Sequence, residues 1–128
     1  MLDTVVEYDK TRYEELCKRI FDLNDKIRFT GVLNENGKLI AGGMRGGVKP
    51  LEDEIHEKRW FHQTAIRREM TSMFEKIYGK VRYILADREK IKQLTFYMDG
   101  KILLISLEPD LPSTKVVEIA ENIYKSIF

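Results

Sequence analysis

The chain has 128 residues, 43% hydrophobic and 34% charged, with 22 Lys plus Arg against 21 Asp plus Glu. That length suits one domain with one core, and the near balance of charge excludes the basic bias of a dedicated nucleic-acid binder. The single cysteine, Cys17, excludes an internal disulfide and a cysteine-rich metal site.

Met1–Lys10 lacks the basic and apolar regions of a signal peptide, and no apolar run approaches the roughly 20 residues that span a bilayer. A cytoplasmic protein without membrane contact is expected. Thr11-Arg-Tyr-Glu14 fits a capping box, and Tyr13, Leu16, Cys17, Ile20 and Phe21 follow at helical spacing, which predicts a first helix over 11–24. Cys17 lies on its apolar side and reads as a buried small hydrophobe. Strand formers over 27–33, the turn signal Asn34-Glu-Asn-Gly37 and a short return over 38–41 predict a hairpin. A glycine-rich stretch through Gly42, Gly43, Gly46 and Gly47 leads to Pro50 and one long helix over 51–78, with Glu52, Asp53 and Glu54 at its positive end. Strands are predicted over 81–86, 91–98 and 102–107. The last is apolar on both faces and therefore central. Beyond Pro109 and Pro112, Ser113 or Thr114 is placed to cap a final helix.

The order αββαβββα, joined mostly by hairpins, makes a single α+β domain with a mainly antiparallel sheet. It resembles the roadblock/dynein-light-chain-like fold, a relative of longin and profilin-like domains, over nearly the whole chain. Ile27-Arg-Phe-Thr-Gly-Val32 with Gly37-Lys-Leu-Ile-Ala-Gly-Gly43 is also similar to a group of short, uncharacterised archaeal proteins. The resemblance implies one roadblock-like domain over 1–128, with 1–10 as an N-terminal extension, and five strands ordered 2-1-5-4-3. It further implies a homodimer, or pairing with a related roadblock-like subunit, through the second helix and third strand, and a small GTPase as a partner. A PAS-like outline is the alternative, with Met44, Phe96, Met98 and Met70 as lining of a ligand cavity.

The glycine stretch fails as a phosphate loop. Gly42 and Gly47 have the required glycine spacing, but Val48-Lys49-Pro50 displaces the lysine and puts proline in place of the hydroxyl residue. Bulge and turn formation explains these glycines, and Arg45 and Lys49 are the candidates for an anion, or simply solvated. His56 and His62, about 240° apart on a helix, cannot share a metal, and His62 is expected toward the core. The carboxylates at 52, 53, 54 and 57 suit a helix dipole better than acid–base chemistry, and no serine has a nucleophile's setting. No enzyme activity, cofactor or metal is expected. Lys80, Arg82, Arg88, Lys90, Lys92 and Lys101, with Tyr83 and Tyr97, make a weak nucleic-acid surface conceivable, but charged strand edges that block aggregation are the favoured explanation and nucleic acid is not the expected partner.

The second helix carries apolar residues on two sides. With Ile66 at zero and about 100° per residue, Ile55, Met70, Met73 and Ile77 fall within roughly 40° of it, with Phe74 near 80°. Trp60 and Phe61 fall near 120° and −140°. The larger stripe is expected to cover the chain's own sheet. Trp60 and Phe61 would then anchor a partner, with Thr64, Arg67, Arg68 and Tyr78 around them. The expected function is a non-enzymatic interaction or regulatory domain.

Overall fold

The strand at 101–107 organises the molecule, because almost every side chain in it is apolar and its two faces each need a cover. In the computed structural model, which describes the backbone of Leu2–Phe128 and side chains from Asp9 onward, it is the middle of five strands. In chain order the elements are α1 (Leu2–Phe21), β1 (Ile27–Asn34), β2 (Leu39–Met44), α2 (Glu54–Ser72), α3 (Glu75–Tyr78), β3 (Ile84–Asp87), β4 (Lys92–Met98), β5 (Lys101–Leu107) and α4 (Ser113–Ile127). The sheet order is β2-β1-β5-β4-β3, and every neighbouring pair is antiparallel.

Alternation along β5 divides the core. Leu103, Ile105 and Leu107 meet Cys17 and Ile20 of α1 and Val116, Ile119, Ala120 and Ile123 of α4. Ile102 and Leu104 point the other way, into a smaller cluster with Phe29, Leu33 and Phe61. Two helices thus cover one face of the sheet and α2 covers the other. Burial pushes the Cys17 thiol up to about 11, against an opposing hydrogen bond from Thr30, so it stays protonated and inert at neutral pH.

Several boundaries differ from the sequence reading. Thr11 is no cap: α1 already runs from Leu2, and the side chains of the expected extension as far as Tyr8 lie outside the described residues. Ser113 is the first residue of α4, and Pro112 stands at its cap position without a side-chain hydrogen bond. The second helix is two pieces. Asp53 caps α2 by accepting the His56 backbone N–H at 2.8 Å, and the rod breaks at Met73–Phe74 before α3.

The hairpin turn forms as its residues suggest. Asn34 Oδ1 accepts the N–H groups of Asn36 and Lys38 at 3.0 Å, and Gly37 adopts φ 81°. The glycine stretch is partly strand: β2 continues through Gly42 and Gly43 to Met44. Gly42 has φ 85°, its N–H donates to Glu14 Oε1 at 3.2 Å, and it passes so close to Thr30 and Cys17 that a Cβ has no room.

Candidate functional site: the outer face of the second helix

The largest difference from the sequence reading is the orientation of α2. Phe61 is 5% exposed and Thr64 2%, and both face the chain's own sheet. Phe61 lies 6.0 Å from the Phe29 ring and 5.5 Å from Trp60, whose indole packs 5.5 Å from Phe29 on its other side. Thr64 Oγ1 donates to the Phe61 carbonyl at 2.7 Å, so its hydroxyl is satisfied inside the helix. Arg68 reaches the β4–β5 turn, donating to the Met98 carbonyl at 2.6 Å and the Lys101 carbonyl at 3.1 Å. Trp60, Phe61, Thr64 and Arg68 therefore fasten α2 to its own subunit and do not form an outward-facing set. Arg67 and Tyr78 remain on the surface.

The physical reason is length. A seven-residue strand spans about 23 Å, whereas the 19 residues of α2 alone run about 29 Å before the break. The sheet ends at the β4–β5 turn, level with Arg68. A short inward patch of Phe61, Thr64 and Arg68, with Trp60 and Ala65 at its sides, fits over β1 and β5. The longer apolar stripe faces away: Ile55 is 63% exposed, Met70 62%, Met73 76% and Ile77 72%. Past Arg68 the helix overhangs the sheet, and every residue from Ser72 to Lys80 is exposed. Phe61→Leu is accordingly expected to cost about 1–2 kcal/mol of subunit stability through lost ring contacts and lost volume. Urea unfolding would show this loss equally at low and high protein concentration, which an interface residue would not do.

The other candidate residues are occupied within the fold. Arg45 does not face an anion: its Nε donates to the Ile27 carbonyl at 2.7 Å, and one terminal nitrogen donates to the Phe21 and Asn24 carbonyls at 2.8 Å. Its guanidinium, 4.8 Å from the Phe21 ring centre, thereby closes the C-terminal end of α1, where unpaired carbonyls favour a cation. Lys49 is exposed, and its carbonyl accepts from Arg28 at 2.7 Å. The proposed cavity residues are not brought together. Phe96 and Met98 belong to the α1–α4 side, Met44 packs at the α2 side, and Met70 lies outside both. His62 is exposed, not turned to the core. It lines an open groove of about 780 Å³ between α2 and the β1–β2 hairpin, floored by Leu39, Phe61 and Ile66. Glu57 shares that groove, where burial, then the charges of Glu52 and Glu54, raise its carboxyl above the ordinary range.

The basic strand region also dissolves as a continuous surface. Lys92 is buried, with Nζ donating to the Leu111 carbonyl at 2.6 Å. Arg82 is clasped to α4: it pairs with Glu121 at 2.5 Å and lies 4.7 Å from the Tyr124 ring centre, while Tyr83 donates to the same carboxylate at 3.1 Å. The Arg82 hydrogen bond, then the Tyr83 one, hold the Glu121 carboxyl below its ordinary value of 4.5. A lowered carboxyl stabilises the fold above that ordinary value and ceases to do so as pH falls through its folded value. Glu121→Gln is therefore expected to lower Tm at pH 7, with the difference closing as pH falls below the ordinary carboxyl value and through the lowered folded one; melting curves from neutral to acid pH check it.

With the geometry described, the class of protein is defined by its fold: a roadblock-type α+β domain. The chain is similar to MglB in a tetrameric arrangement (12% identity, 92% of this chain and 86% of that one covered, TM-score 0.70). It is similar to the gliding protein MglB of Thermus thermophilus (12% identity, 92% and 87% covered, TM-score 0.71). A Roadblock/LC7 domain from Streptomyces avermitilis aligns at 10% identity over 89% of this chain and 92% of that one, with a TM-score of 0.62. At such identities these likenesses establish the fold alone. The chain itself belongs to DUF6659, a family of unknown function, whose profile matches residues 5–127. No curated protein matches it. Among the described residues, no helix is long and apolar enough to cross a membrane.

Proposed function

We propose that this chain is a single, non-enzymatic interaction domain that works in the cytoplasm as a homodimer, joined through the outward face of α2 and α3. The observation that carries the reading is the overhang. Met73, Phe74, Ile77 and Tyr78 lie past Arg68 and are each at least half exposed. With Ile66 and Met70 they form an exposed apolar strip along the second half of α2 and α3, with Ile55 set apart beyond Arg59 and His62. Contiguous exposed apolar patches on soluble proteins are often functional.

A second copy of the same chain is the occupant of this reading. Counting outward from Ile66, the seam positions lie four, seven and eleven residues away: His62, Arg59 and Ile55 one way, Met70 and Met73 the other, with Ile77 beyond the break before α3. An antiparallel pair with its two-fold axis at Ile66 sets Ile66 on Ile66, His62 on Met70 and Arg59 on Met73. The spacing of four and three is that of helices packing side by side. The same sense brings the acidic start of α2, with Glu52 and Glu54, to the end of the other copy that carries Lys76 and Lys80, so charge favours it too. The tetrameric arrangement of one similar MglB structure agrees with self-association. For a further partner of such a dimer, the roadblock resemblance implies a small GTPase.

Sedimentation velocity over a wide concentration range tests the reading. A dimer is expected for the native chain and a monomer for Ile66→Glu. A native chain that stays monomeric at the highest attainable concentration would remove the proposal.

A further inference from the structure

The groove of about 780 Å³ between α2 and the β1–β2 hairpin has a fixed wall on each side. The hairpin tip closes on the helix at Gly37, where a Cβ would lie 2.9 Å from the Phe61 carbonyl oxygen and 3.2 Å from the His62 Cα. On the helix, the lining positions run from Ile55 through Lys58 and His62 to Ile66, three or four residues apart and well short of the break at Met73. That is about 16 Å of one helix face. The floor is Leu39, Phe61 and Ile66, and the volume falls within the roughly 300–1,000 Å³ of small-molecule sites.

Charge on the rim is one-sided. Lys38, Lys58 and Arg59, with His62, line the groove against the single carboxylate of Glu57. Among the described residues, no hydrogen bond or ion pair engages the side chains of those four. An apolar floor under a cationic rim suits an amphipathic anion.

Two features narrow the shape of that anion. A volume of about 780 Å³ along about 16 Å leaves a channel about 7 Å across, too narrow for the roughly 10–12 Å of a helix with its side chains. An extended peptide finds no open edge to pair with, because the outward Gly42 N–H of β2 already donates to Glu14 at 3.2 Å. Its backbone would lose water over the apolar floor without gaining a partner. A hydrocarbon chain carries no such groups.

We propose that the groove binds a single-chain amphipathic carboxylate of the fatty-acid class, its tail along Leu39, Phe61 and Ile66 and its head at Lys38 and Lys58. The length suits roughly twelve carbons, at about 1.25 Å of advance per carbon. Arg59, His62 and Ile66 also belong to the proposed dimer seam, so the bound chain and a second copy compete for one face of α2. The competition rests on the dimer reading, whereas the binding does not.

Calorimetry on the full chain with octanoate, decanoate and dodecanoate, each below its micelle concentration, tests the site. One molecule per subunit is expected, tightening about 3- to 4-fold per added CH₂. Dodecyltrimethylammonium, with the same tail and the opposite head, is expected to bind at least about 10-fold more weakly. Ile55→Glu and, separately, Lys38→Glu/Lys58→Glu are each expected to weaken dodecanoate at least about 10-fold. All three side chains are exposed, so urea unfolding of the variants should match the native chain. In sedimentation, dodecanoate is expected to convert dimer to monomer. Equal affinity for the two head groups, affinity blind to tail length, or binding that survives both variants would overturn the site. A dimer unmoved by saturating dodecanoate would overturn the competition alone. A native chain that binds dodecanoate yet never associates would remove the dimer reading and uphold the groove.

Discussion

Ile66→Glu is expected to raise the dissociation constant of the dimer by about 1,000-fold or more, roughly 4 kcal/mol. The position is chosen by geometry. Ile66 lies on the two-fold axis of the proposed dimer, so one substitution places two carboxylates against each other there. Each would lose water without gaining a cation, and a buried charge left unpaired costs several kcal/mol. In the isolated subunit the same side chain is about half in solvent, so the fold has little reason to respond. The expected signature is separation of the two quantities: association lost by sedimentation, and urea unfolding of the monomer unchanged within about 0.5 kcal/mol. Loss of both together would mean that Ile66 serves the subunit's own core.

Gly42→Ala is expected to show the opposite pattern, a loss of about 2–6 kcal/mol of subunit stability whatever the state of association. Two effects add. The backbone at φ 85° is one that side-chain-bearing residues rarely adopt, which costs on the order of 1–3 kcal/mol. The new Cβ would also strike the Thr30 carbonyl oxygen and crowd the Cys17 Sγ, both inside the packed region between β1, β2 and α1. Overpacking of a core adds about 1–3 kcal/mol. Against a total stability of about 5–15 kcal/mol for a domain, the sum is enough to populate the unfolded chain. Gly46→Ala is the control, because a Cβ there meets open space. Equal losses at 42 and 46 in chemical denaturation would argue against this account of the glycine stretch.

Apart from the break that sets off α3, the elements and their order were legible in the residues because each is marked locally. Asn36-Gly37 marks the hairpin, prolines 109 and 112 mark the last loop, and the apolar run 102–107 marks a strand that must be covered on both sides. The sheet order came through the roadblock resemblance and is the one observed. The role of Arg45 was not legible. Its partners are three carbonyls from the end of α1 and the start of β1, and backbone acceptors leave no residue-type signal. Lys92 was missed for the same reason, since it is held mainly by the Leu111 carbonyl.

The candidate site was half legible. That the second helix carries two apolar sides is plain from residues 55–78. Which side turns inward was misjudged, because the longer stripe was matched to the sheet by hydrophobicity alone. A length comparison holds the missing signal: the about 29 Å of α2 cannot lie on strands of about 23 Å. Gly31 adds to it, since the absence of a side chain there makes room for the Phe29 ring and Leu39. That lets Phe29 rise from the sheet and meet Trp60 and Phe61.

By itself, then, and α3 apart, the amino-acid sequence determined the element types, their order, the centrality of β5 and the two-sidedness of the second helix. These follow from local spacing and from turn residues that act within a few positions. Only the tertiary structure decided that Phe61, Thr64 and Arg68 face inward, that Arg45 closes α1, and that Ser72–Lys80 overhangs the sheet. Each of those depends on where a distant strand stops or a distant carbonyl points, and periodicity along one helix carries no record of either.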